Sequence, residues 1–134
     1  MGSIAIWPAS SGWFGGNVDM ATADVLVVAP DTAFRNSIAF ALESGGFSVA
    51  LHRHMHEGFM SPRARGAACA VVDDDAIDDW KLAREQFDSF AKPVIVLVSL
   101  FRSVPDFPVA MCLTKPFLGE PLIDAVSNLI ASQQ

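Results

Sequence analysis

The sequence predicts an α/β protein in which helices cover both faces of a five-stranded parallel sheet. Short apolar runs alternate five times with segments whose apolar residues fall at helical spacing. The central run, residues 67–72, contains no charged residue and stops at Asp73, which is typical of a strand buried on both faces. Hydrophobic residues make up 51% of the 134 residues and charged residues 18%, so we expect a compact domain.

The strands and helices can be placed in chain order. We expect strands at residues 24–29, 47–51, 67–73, 93–99 and 109–114. Asp31 is placed to cap a first helix, and Gly45-Gly46 end it. Asp78 or Asp79 begins a second long helix, whose inner face is formed by Trp80, Ala83, Phe87 and Phe90. The last helix begins near Glu120 and presents to the core Leu122, Ala125, Val126, Leu129 and Ile130.

The connections between the strands determine the topology. Parallel strands need right-handed crossovers, usually helical, which gives a doubly wound sheet of flavodoxin-like order 2-1-3-4-5. Gly58, Pro62 and Gly66 indicate that any helix in residues 57–66 is short or broken. Residues 99–109 contain two prolines and leave little room, so the fourth helix is predicted to be shortened or missing.

Residues 1–22 differ in composition from the rest of the chain. They are rich in Gly, Ser and Pro, which favours a flexible extension, but they also contain Trp7, Trp13 and Phe14. Aromatic residues in such an arm are common interface anchors. We therefore expect an arm that docks on its own domain or crosses to a second copy, followed by the folded domain at residues 23–134.

Charge and hydropathy exclude several classes of protein. The net charge of −6 argues against nucleic-acid binding, and the sequence contains neither a long apolar membrane span nor a secretory signal. Cys69 and Cys112 lie in apolar runs and are expected to be buried, reduced thiols. A cytoplasmic protein that does not bind a membrane is the expectation.

Asp73 ends the central strand, and Lys115-Pro116-Phe117 follow the fifth. On these features the chain resembles the receiver domains of two-component response regulators, over about residues 23–133. The resemblance implies a signalling module that is not an enzyme, with Asp73 as the phosphoacceptor and Lys115 as the lysine that contacts the phosphoryl group. It also implies Mg²⁺ and a histidine kinase partner.

The sequence departs from this family where the metal would bind. The family has an acidic pair at the end of the first strand, whereas this chain has Ala29 and Pro30. Neither side chain carries a ligand atom, and Asp31 is better placed as a helix cap. A metal site would therefore be a weak one, assembled from Asp31, Asp73 and Asp74.

The parts that would respond to phosphorylation also depart from the family. The switch hydroxyl aligns best with Val98, although Ser99 is adjacent, and the family's switch aromatic aligns with Cys112. We therefore expect an atypical, stand-alone receiver without a cofactor. It would act through phosphorylation-independent contact with a histidine kinase, a downstream signalling protein or a second copy in a homodimer. Asp73 and Lys115 would then form a structural ion pair.

Three alternatives remain open from the sequence. A phosphorylation-competent receiver would use Asp31 and Asp74 or Asp75 to hold Mg²⁺ beside Asp73. A phosphatase of the haloacid-dehalogenase type would use the Asp-x-Asp spacing of Asp73 and Asp75, but only Asp106 is acidic within residues 89–119. The alternating histidines, which are His52, His54 and His56, could hold Zn²⁺ but are expected to be surface residues.

Overall fold

The computed structural model describes residues 24–99, 110–115 and 120–132. Within them five parallel strands form one sheet in the order β2-β1-β3-β4-β5, which confirms the predicted doubly wound topology. The strands are β1 (Asp24–Val28), β2 (Ser48–His52), β3 (Cys69–Asp73), β4 (Val94–Val98) and β5 (Ala110–Thr114). The helices are α1 (Thr32–Ser44), α2 (Met55–Phe59), α3 (Pro62–Gly66), α4 (Trp80–Phe90) and α5 (Glu120–Ala131).

The helix ends follow the capping residues in the sequence. Asp31 caps α1, since its Oδ2 accepts a hydrogen bond from the Phe34 amide at 2.8 Å. Asp79, one of the two predicted candidates, caps α4 by accepting from the Lys81 and Leu82 amides. Each such cap satisfies backbone donors that the first turn of a helix leaves unpaired.

The interrupted segment between β2 and β3 forms two short helices, α2 and α3, as the sequence predicted. Gly58 lies in α2 at the point where the helix packs on the sheet. A Cβ at this position would stand 2.9 Å from the Val28 side chain, which is too close for an ordinary contact, so glycine suits the position. Pro62 occupies the first turn of α3, where its missing N–H has no helical partner to lose. The predicted loss of the fourth helix falls in residues 100–109, outside the described residues, as does the arm at residues 1–22.

The two faces of the sheet carry separate apolar cores. Alternate residues of β1 and β3 point to opposite sides, so Leu26 and Val72 pack with α2, α3 and α4 while Val27 and Val71 pack with α1 and α5. The predicted inner faces of α4 and α5 are confirmed, with Phe87 and Leu122 fully buried. β3 and β4 are buried along their whole length, which fixes the carboxyl ends of the central strands within a rigid frame.

Of the helices that the structure describes, none combines the length and the hydropathy needed to cross a membrane.

The prediction that both cysteines are buried holds for one of them. Cys69 is buried in β3, but Cys112 is exposed. Cys112 belongs to β5, the outermost strand of the order, and an edge strand has a neighbour on one side only. The prediction that Cys112 is buried was therefore wrong, because an apolar run in an edge strand does not ensure that each side chain is covered.

Candidate functional site

Three carboxylates and one amine meet at the carboxyl edge of the sheet. Asp73 is the last residue of β3, and Asp74 and Asp75 begin a 3-10 turn directly after it. Lys115 follows β5, and its backbone amide donates to the Val98 carbonyl at 2.8 Å. Because parallel strands end at the same edge, residues far apart in the sequence converge there.

The Lys115 amine lies among the three carboxylates. Its Nζ contacts Asp73 Oδ1, lies 2.8 Å from Asp74 Oδ1 and 3.6 Å from Asp75 Oδ2. Asp73 and Asp74 are buried, with 1% and 0% of their surface exposed, whereas Asp75 is exposed. A buried carboxylate requires a paired charge, and here the lysine supplies it.

Backbone and hydroxyl donors hold the same carboxylates from the protein side. The Ser99 amide donates to Asp74 Oδ2 at 2.8 Å, and its hydroxyl donates to Asp74 Oδ1 at 3.3 Å. The Asp75 amide donates to Asp73 Oδ1 at 3.2 Å. Both oxygens of Asp74 and one oxygen of Asp73 therefore already accept hydrogen bonds or pair with the amine.

The pKa values of these groups reflect opposing effects. Burial raises the pKa of Asp73 above its ordinary value, and the hydrogen bond from Lys115 only partly offsets it. Burial also opposes ionisation of Asp74, but the bonds from Lys115 and the Ser99 amide prevail and hold its pKa below the ordinary value. Burial disfavours the charged Lys115 amine, but the hydrogen bonds to Asp73 and Asp74 raise its pKa. The surroundings of Asp74 therefore favour its ionised form, whereas the burial of Asp73 opposes ionisation.

The loop after β1 lies at the position where the resemblance places an acidic pair. Ala29 is fully buried, and neither Ala29 nor Pro30 has a side-chain oxygen. Their backbone oxygens accept from the Arg35 guanidinium, at 2.9 Å for Ala29 and 3.3 Å for Pro30. The oxygen atoms that remain at this position are therefore bonded to a cation of the protein itself.

The described carboxylates that could hold a metal ion are Asp73, Asp74 and Asp75, whose oxygens lie within 4.8 Å of one another. Asp31 is not in this group, and its Oδ2 accepts from the Phe34 amide at the start of α1, so Asp75 takes its place beside Asp73 and Asp74. Mg²⁺ prefers six oxygen ligands in octahedral geometry, with one or two carboxylates. The cluster does not fit this need, since Lys115 lies against all three carboxylates and the β1 loop supplies no free oxygen.

Of the two residues proposed for the switch hydroxyl, the structure places Ser99 at the cluster. Val98 ends β4 and packs into the apolar core beside α4, with 8% of its surface exposed. Ser99, one residue further, reaches Asp74 with both its amide and its hydroxyl. A one-residue step along a strand reverses the direction of the side chain, which explains why the two neighbours differ.

Two contacts of α1 with this edge were not predicted. The Phe34 ring centroid lies 5.1 Å from Lys115 Nζ, close enough for a cation–π interaction, although the helical spacing indicated only a core position. Arg35 lies five residues after Pro30, and its contacts with the loop carbonyls depend on a side-chain conformation for which the sequence carries no signal. Together these residues attach α1 to the site.

The three histidines do not form a site. β2 ends at His52, so His54 and His56 lie beyond the strand and do not share one of its faces. His54 and His56 are exposed as predicted, whereas His52 is half-buried with its Nδ1 3.6 Å from Glu57 Oε1. Within the described residues no histidine joins a group able to hold a metal ion.

Comparison with known proteins decides the family. The transcriptional regulator protein FixT of Rhizobium meliloti is 33% identical over 110 residues, which is 81% of this chain and 93% of the relative. This chain belongs to the response regulator receiver family. No family model matches the sequence.

Solved structures share the receiver fold at lower identity. A response regulator receiver protein of Sinorhizobium medicae superimposes with a TM-score of 0.70 at 19% identity and covers 86% of this chain and 99% of its own. A receiver domain of Clostridium thermocellum gives a TM-score of 0.70 at 21% identity and covers 83% of this chain and 96% of its own. Membership of this family favours a signalling module over the phosphatase alternative.

Proposed function

We propose that this receiver domain acts in two-component signalling by binding a protein partner without being phosphorylated. The observation that carries the proposal is the position of Lys115, whose amine lies among Asp73, Asp74 and Asp75. In that position the amine offsets part of the negative charge of the cluster in place of a divalent cation. Asp73 and Lys115 occupy the phosphoacceptor and phosphate-contacting positions but serve as a structural ion pair.

The chemistry of phosphoryl transfer supports this proposal. Attack on phosphorus by an aspartate requires a charge that stabilises the transferring oxygens, which Mg²⁺ supplies in many phosphoryl-transfer sites. Here the carboxylate that would attack is buried and already paired with the Lys115 amine, so its oxygen is not free to approach phosphorus. The donors around Asp74 and the bonds of Arg35 to the β1 loop further bias the site toward one fixed state.

The partner is expected to be a histidine kinase or a downstream signalling protein, with a second copy of the chain as the alternative. We expect the partner to bind the folded domain in a single conformation. A conformational switch would instead need an element that can adopt two positions. The hydrogen-bonded cluster described above ties β3, β4 and β5 together and so favours one position.

A phosphorylation-competent receiver remains the second candidate, favoured by the convergence of three carboxylates at one point. The test is to incubate the full chain with acetyl phosphate and millimolar Mg²⁺ and to measure its intact mass. A competent receiver from another protein serves as the positive control, and Asp73→Asn serves as the site control.

We expect no phosphorylated species of this chain under conditions that modify the positive control. A Mg²⁺-dependent gain of one phosphoryl group that Asp73→Asn abolishes would contradict the proposal. Tryptophan fluorescence with beryllofluoride and Mg²⁺ provides a second readout, and an unchanged spectrum is the expected result.

A further inference from the structure

A large apolar groove lies between α2, α3 and α4, on the face of the sheet opposite α1 and α5. It has a volume of about 590 Å³ and is lined by residues that include Phe59, Met60, Leu82 and Phe90. A groove of this size accommodates one or two large side chains. Lys92 bonds the carbonyls of Ala64, Arg65 and Ala67 at one end of the groove and so holds α3 beside β4.

The rim of the groove carries large apolar side chains that are exposed. Met60 is 71% exposed and Leu82 is 51% exposed, and they are two of the four large hydrophobic residues that are exposed within the described part of the chain. Beneath them Phe59 packs against Phe87 and Phe90, with ring centroids 5.8 and 5.3 Å apart. The groove therefore has a rigid aromatic floor and an apolar rim, as expected of a surface that receives another apolar segment.

The N-terminal end of the described chain lies beside this groove. Asp24 pairs with Arg63 of α3 at 3.4 Å, and the Asp24 carbonyl accepts from the Ala68 amide at 2.9 Å. The next residues of α3, Ala64 and Arg65, line the groove itself. The 23 residues that precede Asp24 in the sequence therefore join the domain next to the groove.

The preceding segment matches the groove in chemistry and reach. It contains Trp7, Trp13 and Phe14, and its one charged side chain is Asp19, whereas the groove is lined by two basic residues, Arg65 and Lys92, and one acidic residue, Glu85. Nine residues lie between Phe14 and Asp24, and the ten Cα–Cα steps that join the two can span up to about 33 Å, several times the diameter of a helix backbone. An aromatic side chain of the segment can therefore reach any part of the groove.

We propose that the groove between α2, α3 and α4 is the docking site of the N-terminal segment of the same chain, with Trp13 or Phe14 as the anchor. The acidic cluster lies at the opposite, carboxyl end of the strands, so the docked segment leaves it unobstructed. A partner that binds this face must first displace the segment.

Site-specific photo-crosslinking in the full chain tests this proposal. Trp13 is replaced by p-benzoylphenylalanine, the protein is irradiated, and crosslinked peptides are mapped by mass spectrometry. We expect crosslinks within one chain to the groove, chiefly to residues 59–65 and 82–92, with a yield independent of protein concentration. The same photo-reactive residue at Phe40, an exposed position on α1, should give no crosslink to the groove.

Two substitutions in the groove sharpen the test. Met60→Glu and Leu82→Glu change exposed side chains and should leave the fold intact, and each should lower the groove crosslink about tenfold because an apolar anchor would meet a charge. Phe40→Glu is the matched control and should leave the yield unchanged. A crosslink between two copies, a crosslink elsewhere on the chain, or none at all would overturn the proposal.

Discussion

The Nζ of Lys115 lies 2.8 Å from Oδ1 of Asp74, a carboxylate with no exposed surface. This contact joins the residue after β5 to the residue after β3 across the end of β4. The other oxygen of Asp74 accepts from the Ser99 amide, so the carboxylate connects the ends of three strands. The lysine is thus a structural counter-ion for charges that the fold has buried, and its removal should have a large effect.

Replacing Lys115 with Ala should destabilise the protein by about 3–5 kcal/mol, because it removes the cation that the buried carboxylates of Asp73 and Asp74 contact. The measurement is urea-induced unfolding at neutral pH, compared with Lys81→Ala, which removes an exposed lysine from α4. The control variant should stay within about 0.5 kcal/mol of the wild type. A Lys115→Ala protein as stable as the control would show that the cluster does not depend on its amine.

Asp73 should make stability depend on pH in a way that Asp73→Asn removes. The pKa of Asp73 is raised above the ordinary value of 3.8, so the native state binds its proton more tightly than the unfolded state does. This group therefore lowers stability progressively as the pH rises from about 3.8 through the raised pKa.

Asp73→Asn lacks this titration, so its stability relative to the wild type should increase over that range and then become constant. Unfolding free energies of both proteins across a pH series supply the comparison. Asp74 has the opposite sign, since its lowered pKa gives stability that is present above pH 3.8 and is lost as the pH falls through the lowered value. If the stability of Asp73→Asn relative to the wild type fell as the pH rose, the raised pKa of Asp73 would be contradicted.

Truncation of Ser99 and truncation of Val98 should lower the free energy of unfolding by different amounts. Ser99→Ala removes a hydroxyl donor at 3.3 Å but keeps the amide donor at 2.8 Å, so the expected loss is about 0.5–1.5 kcal/mol. Val98→Ala removes buried apolar groups, so the expected loss of stability is about 1.6 kcal/mol or more. Chemical denaturation of both variants tests the order, and a larger loss for Ser99→Ala would indicate that the hydroxyl carries the contact.

The two thiols should react very differently with an alkylating reagent. Burial raises the pKa of Cys69 to about 12, whereas Cys112 is exposed on β5. Only a thiolate is a good nucleophile, so iodoacetamide at mildly alkaline pH should modify the native protein once, at Cys112. Denatured protein should be modified at both positions. Rapid labelling of Cys69 in the native state would mean that β3 is less protected than its burial indicates.

Much of the fold could be predicted because local chemistry and topology agree. Asp31 and Asp79 cap helices as their sequence context indicated, and the apolar run that stops at Asp73 is the buried central strand. The sheet order followed from the rules for parallel crossovers, which leave few arrangements. The burial of Cys112 was wrongly predicted because an apolar run does not distinguish a central strand from an edge strand.

The site was only partly predictable because its contacts depend on which way side chains point at strand ends. The sequence identified Asp73 and Lys115 but left Ser99 and Val98 as alternatives, and only the register of β4 separates them. Asp31 was grouped with the carboxylates although its oxygen is used by the Phe34 amide. The contacts of Arg35 with the β1 loop carbonyls depend on a side-chain conformation that spacing alone does not specify.

A titration with Mn²⁺ monitored by NMR tests most directly whether Lys115 takes the place of a metal. In the full chain, millimolar Mn²⁺ should cause no selective broadening of the amide signals of residues 73–75. Lys115→Ala should bind Mn²⁺ at that position, because the amine that contacts the three carboxylates would then be gone. Stoichiometric broadening centred on Asp73, Asp74 and Asp75 in the wild type would contradict the account.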